Sequence, residues 1–200
     1  MNTMNKMKRL VMSALLVLIV VIAHFNTNAQ VVMPKDENGK ITYLDVVKED
    51  SIPTDSIARR IQGWVKFTYP KRKVTLDTTA HTISTRDRFL VYLNPGVLKE
   101  IHGAIRYDVS IEWREGRYRY TFTNFVFEYY KQDKNYKYNP TGNTKDLEEE
   151  KFAGWQSAWE KHKNTTDAYI KEKIEDLKKA VENKKPETMV IPTVKKSKDW

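Results

Sequence analysis

The sequence predicts an α+β protein in which helices cover one face of an antiparallel sheet of about five strands, in the order β-α-β-β-β-β-α. Apolar and polar residues alternate over residues 105–114, with the period of a half-buried strand. A second alternating run follows after a tight turn, so the two runs are expected to form a hairpin. Apolar residues repeat at helical spacing near residues 57–65 and 170–181, on either side of the hairpin in the chain.

The first strand and the first helix are predicted before residue 70. Residues 41–49 (ITYLDVVKE) are rich in β-branched and aromatic side chains, which favours a strand. A single apolar stripe then predicts a helix over residues 53–68, formed by Ile57, Ile61, Trp64 and Val65. Tyr69-Pro70 ends this helix, because proline disfavours helical geometry in the residue before it.

Shorter strands are predicted over residues 73–94. Residues 73–76 and 81–85 flank the turn-prone residues 77–79. Residues 88–94 either continue the second of these strands or form another one. The sequence Asn94-Pro95-Gly96 then interrupts the pattern.

The central hairpin carries the strongest signal. Its first strand is apolar on one face, at Ile105, Tyr107, Val109, Ile111 and Trp113. It is polar on the other face, at Arg106, Asp108, Ser110, Glu112 and Arg114. Glu115-Gly116 turns the chain, since glycine adopts the positive φ that a tight hairpin needs. On the return strand, Tyr118, Tyr120 and Phe122 alternate with Arg117, Arg119 and Thr121, so tyrosines and arginines are expected on opposite faces.

The alternation changes phase at Thr123-Asn124, beyond which Phe125 and Phe127 take the apolar positions. A β-bulge, or a strand covered on both faces, would explain the change. The aromatic residues of the hairpin are interpreted as sheet and core residues rather than a recognition surface, because strands select aromatic side chains.

A polar loop is predicted over residues 131–144 (KQDKNYKYNPTGNT), followed by one bent helix or two helices. The first helical segment is marked by Leu147, Phe152, Trp155 and Trp159. The second is marked by Ile170, Ile174, Leu177 and Val181, and residues 164–167 (NTTD) offer N-caps for it. We expect this lysine-rich helix to cover the sheet of its own domain rather than rest on a membrane surface. Residues 184–200 are predicted to be disordered.

Residues 1–29 have the pattern of a secretory signal peptide. A basic start at residues 6–9 precedes an apolar run over residues 10–23, and Thr27 and Ala29 occupy the −3 and −1 positions of a cleavage site. As a helix, this run spans about 21 Å, short of the ~30 Å hydrocarbon core. Cleavage near Ala29-Gln30 is therefore expected rather than a retained anchor, and the protein is expected in the periplasm or outside the cell.

Removing the leader leaves a single predicted domain over residues 30–183. The leader contains three basic residues and no acidic ones, so its removal lowers the formal charge from +9 to +6. The sequence contains no cysteine, which excludes a disulfide framework, thiolate chemistry and lipid attachment at a cysteine after the leader. Stability must therefore come from burial alone.

Three stretches together resemble a family of exported bacterial domains of unknown function, family 4468, whose fold is described as TBP-like. They are NGKITYLDVV (residues 38–47), the helix ending near Trp64, and the hairpin IRYDVSIEWREGRYRYTFTNF (residues 105–125). The helical region at residues 155–177 is similar to the closing helix of the family, so the resemblance covers roughly residues 33–182. It implies a curved antiparallel sheet with helices on one face. It supplies no activity and no catalytic or binding residues.

Candidate catalytic groups are few. His81, His102 and His162 do not have the i, i+4 spacing of a helical zinc site, and each is interpreted as a surface or strand residue. The glycines form no phosphate-binding loop, and no serine lies in a nucleophile elbow. The carboxylate run at residues 148–150 suits a helix N-terminus better than acid-base catalysis. No cofactor or metal is expected, and the chain is predicted not to be an enzyme.

Three functions stay open from the sequence. The favoured one is an exported, non-enzymatic binding or structural module of the bacterial envelope, with an envelope protein or a small ligand as partner and no stable membrane span after cleavage. The second is a polyanion-binding sheet that uses Arg106, Arg114, Arg117 and Arg119. Nucleic acid is not the expected partner of an exported chain, and Asp108 and Glu112 dilute the positive charge. The third is an enzyme with an unrecognised site.

Overall fold

The structure, a computed structural model, describes residues 31–93 and 100–182. The predicted signal peptide, the break at residues 94–96 and the predicted disordered tail at residues 184–200 lie outside the described residues. The described elements are, in chain order, β1 (Tyr43–Lys48), α1 (Thr54–Thr68), β2 (Val74–Asp77), β3 (Thr82–Tyr92), β4 (Ile101–Arg114), β5 (Arg117–Gln132), β6 (Tyr138–Asp146) and α2 (Gln156–Glu182).

The described strands form one antiparallel sheet in the order β1-β5-β4-β3-β2, with β6 also paired to β5. The long strand β5 therefore has two neighbours along one side. Its residues 117–122 pair with β1, and its residues 126–132 pair with β6. The predicted α+β class and the order of elements are confirmed, but the sheet has six strands instead of about five.

The structure decides one open alternative and differs from the strand predictions at two places. Residues 88–92 continue β3, which is one of the two predicted alternatives. Strand β4 begins at Ile101, ahead of the alternating residues. The prediction of a polar loop over residues 131–144 is wrong, because residues 138–146 form β6. This strand is almost entirely exposed and contains Pro140 and Gly142, so neither alternation nor composition marks it as a strand.

The phase change in β5 is a β-bulge, one of the two predicted explanations. The pairing of β4 with β5 shifts between Arg106↔Val126 and Asp108↔Thr123. Two residues of β5, Asn124 and Phe125, thus lie opposite one residue of β4, and Asn124 adopts a positive φ of 56°. The bulge keeps Phe125 on the same face as Phe122.

One face of the sheet carries the core. Tyr118, Tyr120 and Phe122 expose 1%, 5% and 0% of their surface, which confirms that the hairpin aromatics are core residues. The facing strand β4 adds Ile105, Tyr107, Val109, Ile111 and Trp113, all buried. On the other face, the intervening residues of β4 and β5 are half-buried or exposed.

Helix α1 follows its predicted bounds closely. Its buried residues are the predicted stripe of Ile57, Ile61, Trp64 and Val65. Tyr69 follows the last turn, and its ring packs edge-on against Trp64 with centroids 5.6 Å apart. The helix packs against α2 and against the core face of β4 and β5.

Helix α2 is one continuous helix that begins at Gln156. Leu147 and Phe152 are buried but precede it, and Gly154 has a positive φ of 79° that a right-handed helix does not contain. The predicted N-cap at residues 164–167 is wrong, because Thr165 and Thr166 lie inside the helix and donate hydrogen bonds to the carbonyls of the preceding turn. The predicted coverage of the sheet by this helix is confirmed by the burial of Ile170, Ile174, Leu177 and Val181.

The segment before β1 and the segment after β6 meet beside the bulge. The amide of Ile41 donates to the carboxylate of Glu148 at 2.8 Å, and the amide of Leu147 donates to the carbonyl of Phe125 at 3.0 Å. Lys40 also forms an ion pair with Asp146 at 3.1 Å. Two parts of the chain that are about a hundred residues apart thus close the outer side of β5 together.

Candidate functional site

The open face of the sheet is the face opposite α1 and α2, and a row of hydroxyl groups crosses it. Thr75 of β2 lies opposite Ser84 of β3, Ser84 lies opposite Ser110 of β4, and Ser110 lies opposite Thr121 of β5. We call these four residues the hydroxyl row. They line a shallow depression of about 470 Å³ that is open to solvent. The row offers donors and acceptors to a ligand that lies across the strands.

Ion pairs border the hydroxyl row on both sides. On one side, Arg86 makes two hydrogen bonds to the carboxylate of Asp108, at 2.5 and 3.2 Å, and Asn124 donates to the same carboxylate at 2.9 Å. Partial burial raises the pKa of Asp108, but these hydrogen bonds outweigh it and the pKa is lowered. On the other side, Arg119 donates to both oxygens of Glu112 at 2.7 Å. The bordering charges therefore neutralise each other.

Of the four arginines that the sequence indicated for surface binding, two have carboxylate partners and two have none within the described residues. Nε of Arg106 lies 3.6 Å from Oε1 of Glu128, and Arg119 is paired with Glu112 as described above. Within residues 31–93 and 100–182, neither Arg114 nor Arg117 has an acidic side chain in ion-pair range. The four residues share a face, but they do not form a continuous band of unpaired guanidinium groups.

Arg114 and Arg117 form a basic corner of the open face together with Lys48. The two-residue turn of the β4–β5 hairpin places Arg114 directly opposite Arg117, and Lys48 of β1 lies opposite Arg117 on its other side. A pocket of about 200 Å³ adjoins the corner, with Val46, Glu112 and Arg119 among its lining residues. Glu112 already accepts two hydrogen bonds from Arg119, so the net charge around this pocket is positive.

Sequence reasoning missed a contact between His102 of β4 and His162 of α2. Nδ1 of His102 and Nε2 of His162 lie 2.8 Å apart, so one ring donates a hydrogen bond and the other accepts it. His162 is only 1% exposed, and its interpretation as a surface or strand residue is wrong. The two residues are sixty positions apart on different elements, and no local spacing in the sequence could have indicated the contact.

Aromatic side chains enclose this histidine pair. The ring of Phe127 stacks on His162, and the rings of Trp155 and Phe152 lie beside His102. Burial lowers the pKa of His162 to about 4, with smaller contributions from His102 and Lys161, and burial also lowers the pKa of His102. Both rings are therefore neutral at neutral pH.

Two further kinds of site are absent from the part of the chain that the structure describes. There, no three histidine, aspartate or glutamate side chains lie close enough together to hold a metal ion. None of its helices combines the length and apolar character needed to cross a bilayer. His81, the third histidine after the predicted cleavage site, is exposed, and its ring packs edge-on to Trp113.

The fold and the open face define the class of this protein: an α+β domain with helices on one face of an antiparallel sheet and a polar surface on the other. Residues 43–128 match the family described as "Domain of unknown function (DUF4468) with TBP-like fold". The resemblance inferred from the sequence is therefore confirmed over this stretch of the chain.

Two solved structures share the fold. One is a TBP-like protein from Parabacteroides distasonis ATCC 8503, with a TM-score of 0.58 and 22% identity over 74% of this chain and 96% of that chain. The other is a DUF4468 family protein from Bacteroides ovatus ATCC 8483, with a TM-score of 0.56 and 12% identity over 78% of this chain and 92% of that chain. No curated protein matches the chain. At these identities the likeness establishes the TBP-like fold alone.

Proposed function

We propose that the chain is an exported, non-enzymatic binding module of the bacterial envelope that recognises a partner protein through the open face of its sheet. The observation that carries this proposal is the hydroxyl row: four hydroxyl side chains in register across four strands, bordered by ion pairs. Strand alternation alone would place any polar residue there, whereas small hydroxyls leave a depression that a partner can enter.

A protein partner fits this face better than a small molecule. The depressions at the hydroxyl row and at the basic corner are shallow and open, whereas small-molecule sites are usually concave and bury most of the ligand. Export rests on the signal-peptide pattern of residues 1–29. The bacterial sources of the two solved structures support a bacterial envelope as the setting.

The ion pairs of the open face weigh against the polyanion alternative. A surface that binds a phosphate backbone neutralises many phosphates with lysine and arginine side chains. Here Arg106 and Arg119 already have carboxylate partners. The hairpin aromatics Tyr118, Tyr120 and Phe122 are buried in the core, so they offer no stacking surface on this face. Heparin or duplex DNA that bound with sub-micromolar affinity and a steep salt dependence would restore that alternative.

Crosslinking from the open face tests the proposal. A photo-activatable amino acid replaces Ser110, at the centre of the hydroxyl row, in the chain expressed in its native cell. The control replaces Lys179, which is exposed on α2. We expect a discrete crosslinked species of fixed mass from position 110 and none from position 179. No crosslink from position 110, or the same products from both positions, would contradict the proposal.

A further inference from the structure

We propose that Lys48, Arg114 and Arg117, the basic corner, bind an acidic side chain on an extended segment of the partner protein. This inference rests on the proposed function, because it names the chemistry of the partner that the open face recognises. It is argued from the arrangement of charges, the size of the adjoining pocket and the free edge of β1.

The basic corner places like charges opposite each other, and none of its three residues forms an ion pair within the described residues. Residues directly opposite each other in an antiparallel pair have Cβ atoms about 4.5–5.5 Å apart, and like charges at such positions destabilise the sheet. The register places Arg117 between Arg114 and Lys48 in this way. A bound carboxylate would turn this repulsion into charge-assisted hydrogen bonds.

The basic corner differs from the other arginines of the open face, because each of those arginines has a carboxylate partner. Arg86 pairs with Asp108, Arg119 pairs with Glu112, and both Arg88 and Arg106 contact Glu128. Among the arginines of the open face, the positive charge without an ion pair is therefore confined to one end of the hairpin. A local charge of this kind matches one or two carboxylates, whereas a nucleic acid or an anionic lipid surface presents a long series of phosphates.

The surroundings of the corner suit a side chain rather than a headgroup or a sugar. The adjoining pocket of about 200 Å³ has Val46 as one wall. Leu44 and Val46 point to the open face from β1 and expose 55% and 47% of their surface. An acidic residue at the corner could thus be followed by apolar residues along β1.

Strand β1 can accept such a segment along its outer edge beyond Thr42, whose outward amide already donates to the carbonyl of Pro34 at 3.0 Å. The amide of Glu49 donates to the carbonyl of Gly116, just before β5, at 2.7 Å, so the alternate residues Leu44, Val46 and Lys48 direct their backbone groups away from β5. No strand of the described chain pairs with β1 on that side. The outward amide of Val46 donates only to the neighbouring carboxylate of Asp45. An added strand would place alternate side chains beside Leu44, Val46 and Lys48.

A peptide titration tests the assignment. The probe is the blocked peptide Thr-Val-Glu-Val-Glu-Thr, and its matched control has glutamine at both glutamate positions. Each is titrated to millimolar concentration into the protein as processed by the producing cell, with backbone amide shifts as the readout. We expect saturable shifts in β1 and at the β4–β5 turn with the glutamate peptide, and binding roughly tenfold weaker or absent with the glutamine peptide.

Variants identify the residues responsible. The double variant R114Q/R117Q removes the opposed arginines and should fold at least as stably as the parent, because the repulsion is lost. The control K131Q/K137Q removes two exposed lysines at the other end of the same sheet. We expect R114Q/R117Q to lose roughly tenfold or more in affinity for the glutamate peptide and K131Q/K137Q to keep it.

Several results would overturn the inference. They are no shifts with the glutamate peptide, equal binding of the glutamine peptide, and unchanged affinity in R114Q/R117Q. Binding through Arg114 and Arg117 to vesicles of anionic phospholipid, with no response to the peptide, would assign the corner to a lipid instead.

Crosslinking separates this inference from the proposed function. If crosslinks from position 110 persist unchanged in the R114Q/R117Q background, the proposed function stands and the acidic-segment inference fails. If position 110 gives no crosslink in the parent, the proposed function itself fails.

Discussion

At the scale of single residues, a buried carboxylate ties the sheet to α2. The hydroxyl of Tyr43 donates to one oxygen of Asp167 at 2.8 Å, and Lys171 contacts the other oxygen at 2.8 Å. Asp167 is buried, so its oxygens depend on these partners for hydrogen bonds. The contact joins β1 to the middle of α2.

The substitution Y43F should therefore destabilise the fold. It removes the hydroxyl that donates to Oδ1 of Asp167, and we expect a loss of about 1–3 kcal/mol in the free energy of unfolding. Chemical denaturation measures it. The control Y136F changes a side chain that is 83% exposed and should leave the free energy unchanged. Equal stabilities of Y43F and Y136F would show that the buried hydrogen bond contributes nothing.

The histidine pair should make stability depend on pH. The pKa of His162 is about 4 in the folded chain, against 6.5 for an ordinary histidine, so the unfolded chain binds the extra proton between these values. The contribution of His162 is fully present above pH 6.5 and is lost as the pH falls towards 4. At 1.36 kcal/mol per unit, the loss is about 3 kcal/mol.

Denaturation midpoints from about pH 7.5 down to about pH 4 measure this dependence, because that range contains both pKa values of His162. The variant H162Q should show a shallower fall in stability with decreasing pH than the parent. The control H81Q changes an exposed histidine and should keep the slope of the parent. If the stability of H162Q fell with pH as steeply as that of the parent, protonation of His162 would not limit stability in acid.

At the scale of elements, the start of β4 depends on a glycine that packs against β5. A Cβ atom added at Gly103 would lie 2.4 Å from the carbonyl oxygen of Glu128 and 2.6 Å from the ring of Phe127. Both neighbours belong to the paired strand, one of them as backbone. A larger residue must therefore push β4 and β5 apart.

The same substitution at two glycines should have opposite effects. We expect G103A to lower the free energy of unfolding by about 1–3 kcal/mol through overpacking. Gly63 lies in α1 with no atom within 4 Å of an added Cβ, so G63A should raise the free energy by roughly 0.5–1 kcal/mol through helix propensity. Thermal denaturation of both variants measures the two changes, and a shift of the same sign in both would contradict the packing argument.

The elements that the sequence predicted well are those with a strong apolar period. The bounds of α1 and the faces of the central hairpin follow from Ile57–Val65 spacing and from alternation around Tyr118, because burial on one side imposes those periods. Strand β6 escaped prediction because it lies at the outside of the sheet, where pairing requires only backbone groups. Helix α2 was started too early because Leu147 and Phe152 are buried without being helical.

The candidate site could be predicted only in part. Alternation placed all four arginines on the polar face, and this is where the structure has them. Which of them are neutralised depends on partners from another strand or from across the hairpin, such as Glu128 for Arg106. The hydroxyl row depends on the register of four strands, and the histidine pair depends on how α2 crosses the sheet. Neither is encoded in a local pattern.

At the scale of the whole molecule, cleavage of the predicted leader would set the length and the charge of the mature chain. Cleavage after Ala29 would give a chain of 171 residues that starts at Gln30 and carries a formal charge of +6. Intact-mass measurement of the protein recovered from the periplasm or the medium checks this expectation. A chain that retains residues 1–29 and fractionates with the membrane would show an anchor instead.

The meeting of the two distant segments beside the bulge has a consequence for how the molecule is made. The bond from Ile41 to Glu148 spans 107 positions, so the outer side of β5 cannot close before the last third of the chain has arrived. Contacts this far apart slow folding, typically to milliseconds or seconds. If the chain is exported as proposed, the late formation of this contact leaves the chain incompletely folded during translocation. The native structure is then completed only on the far side of the membrane.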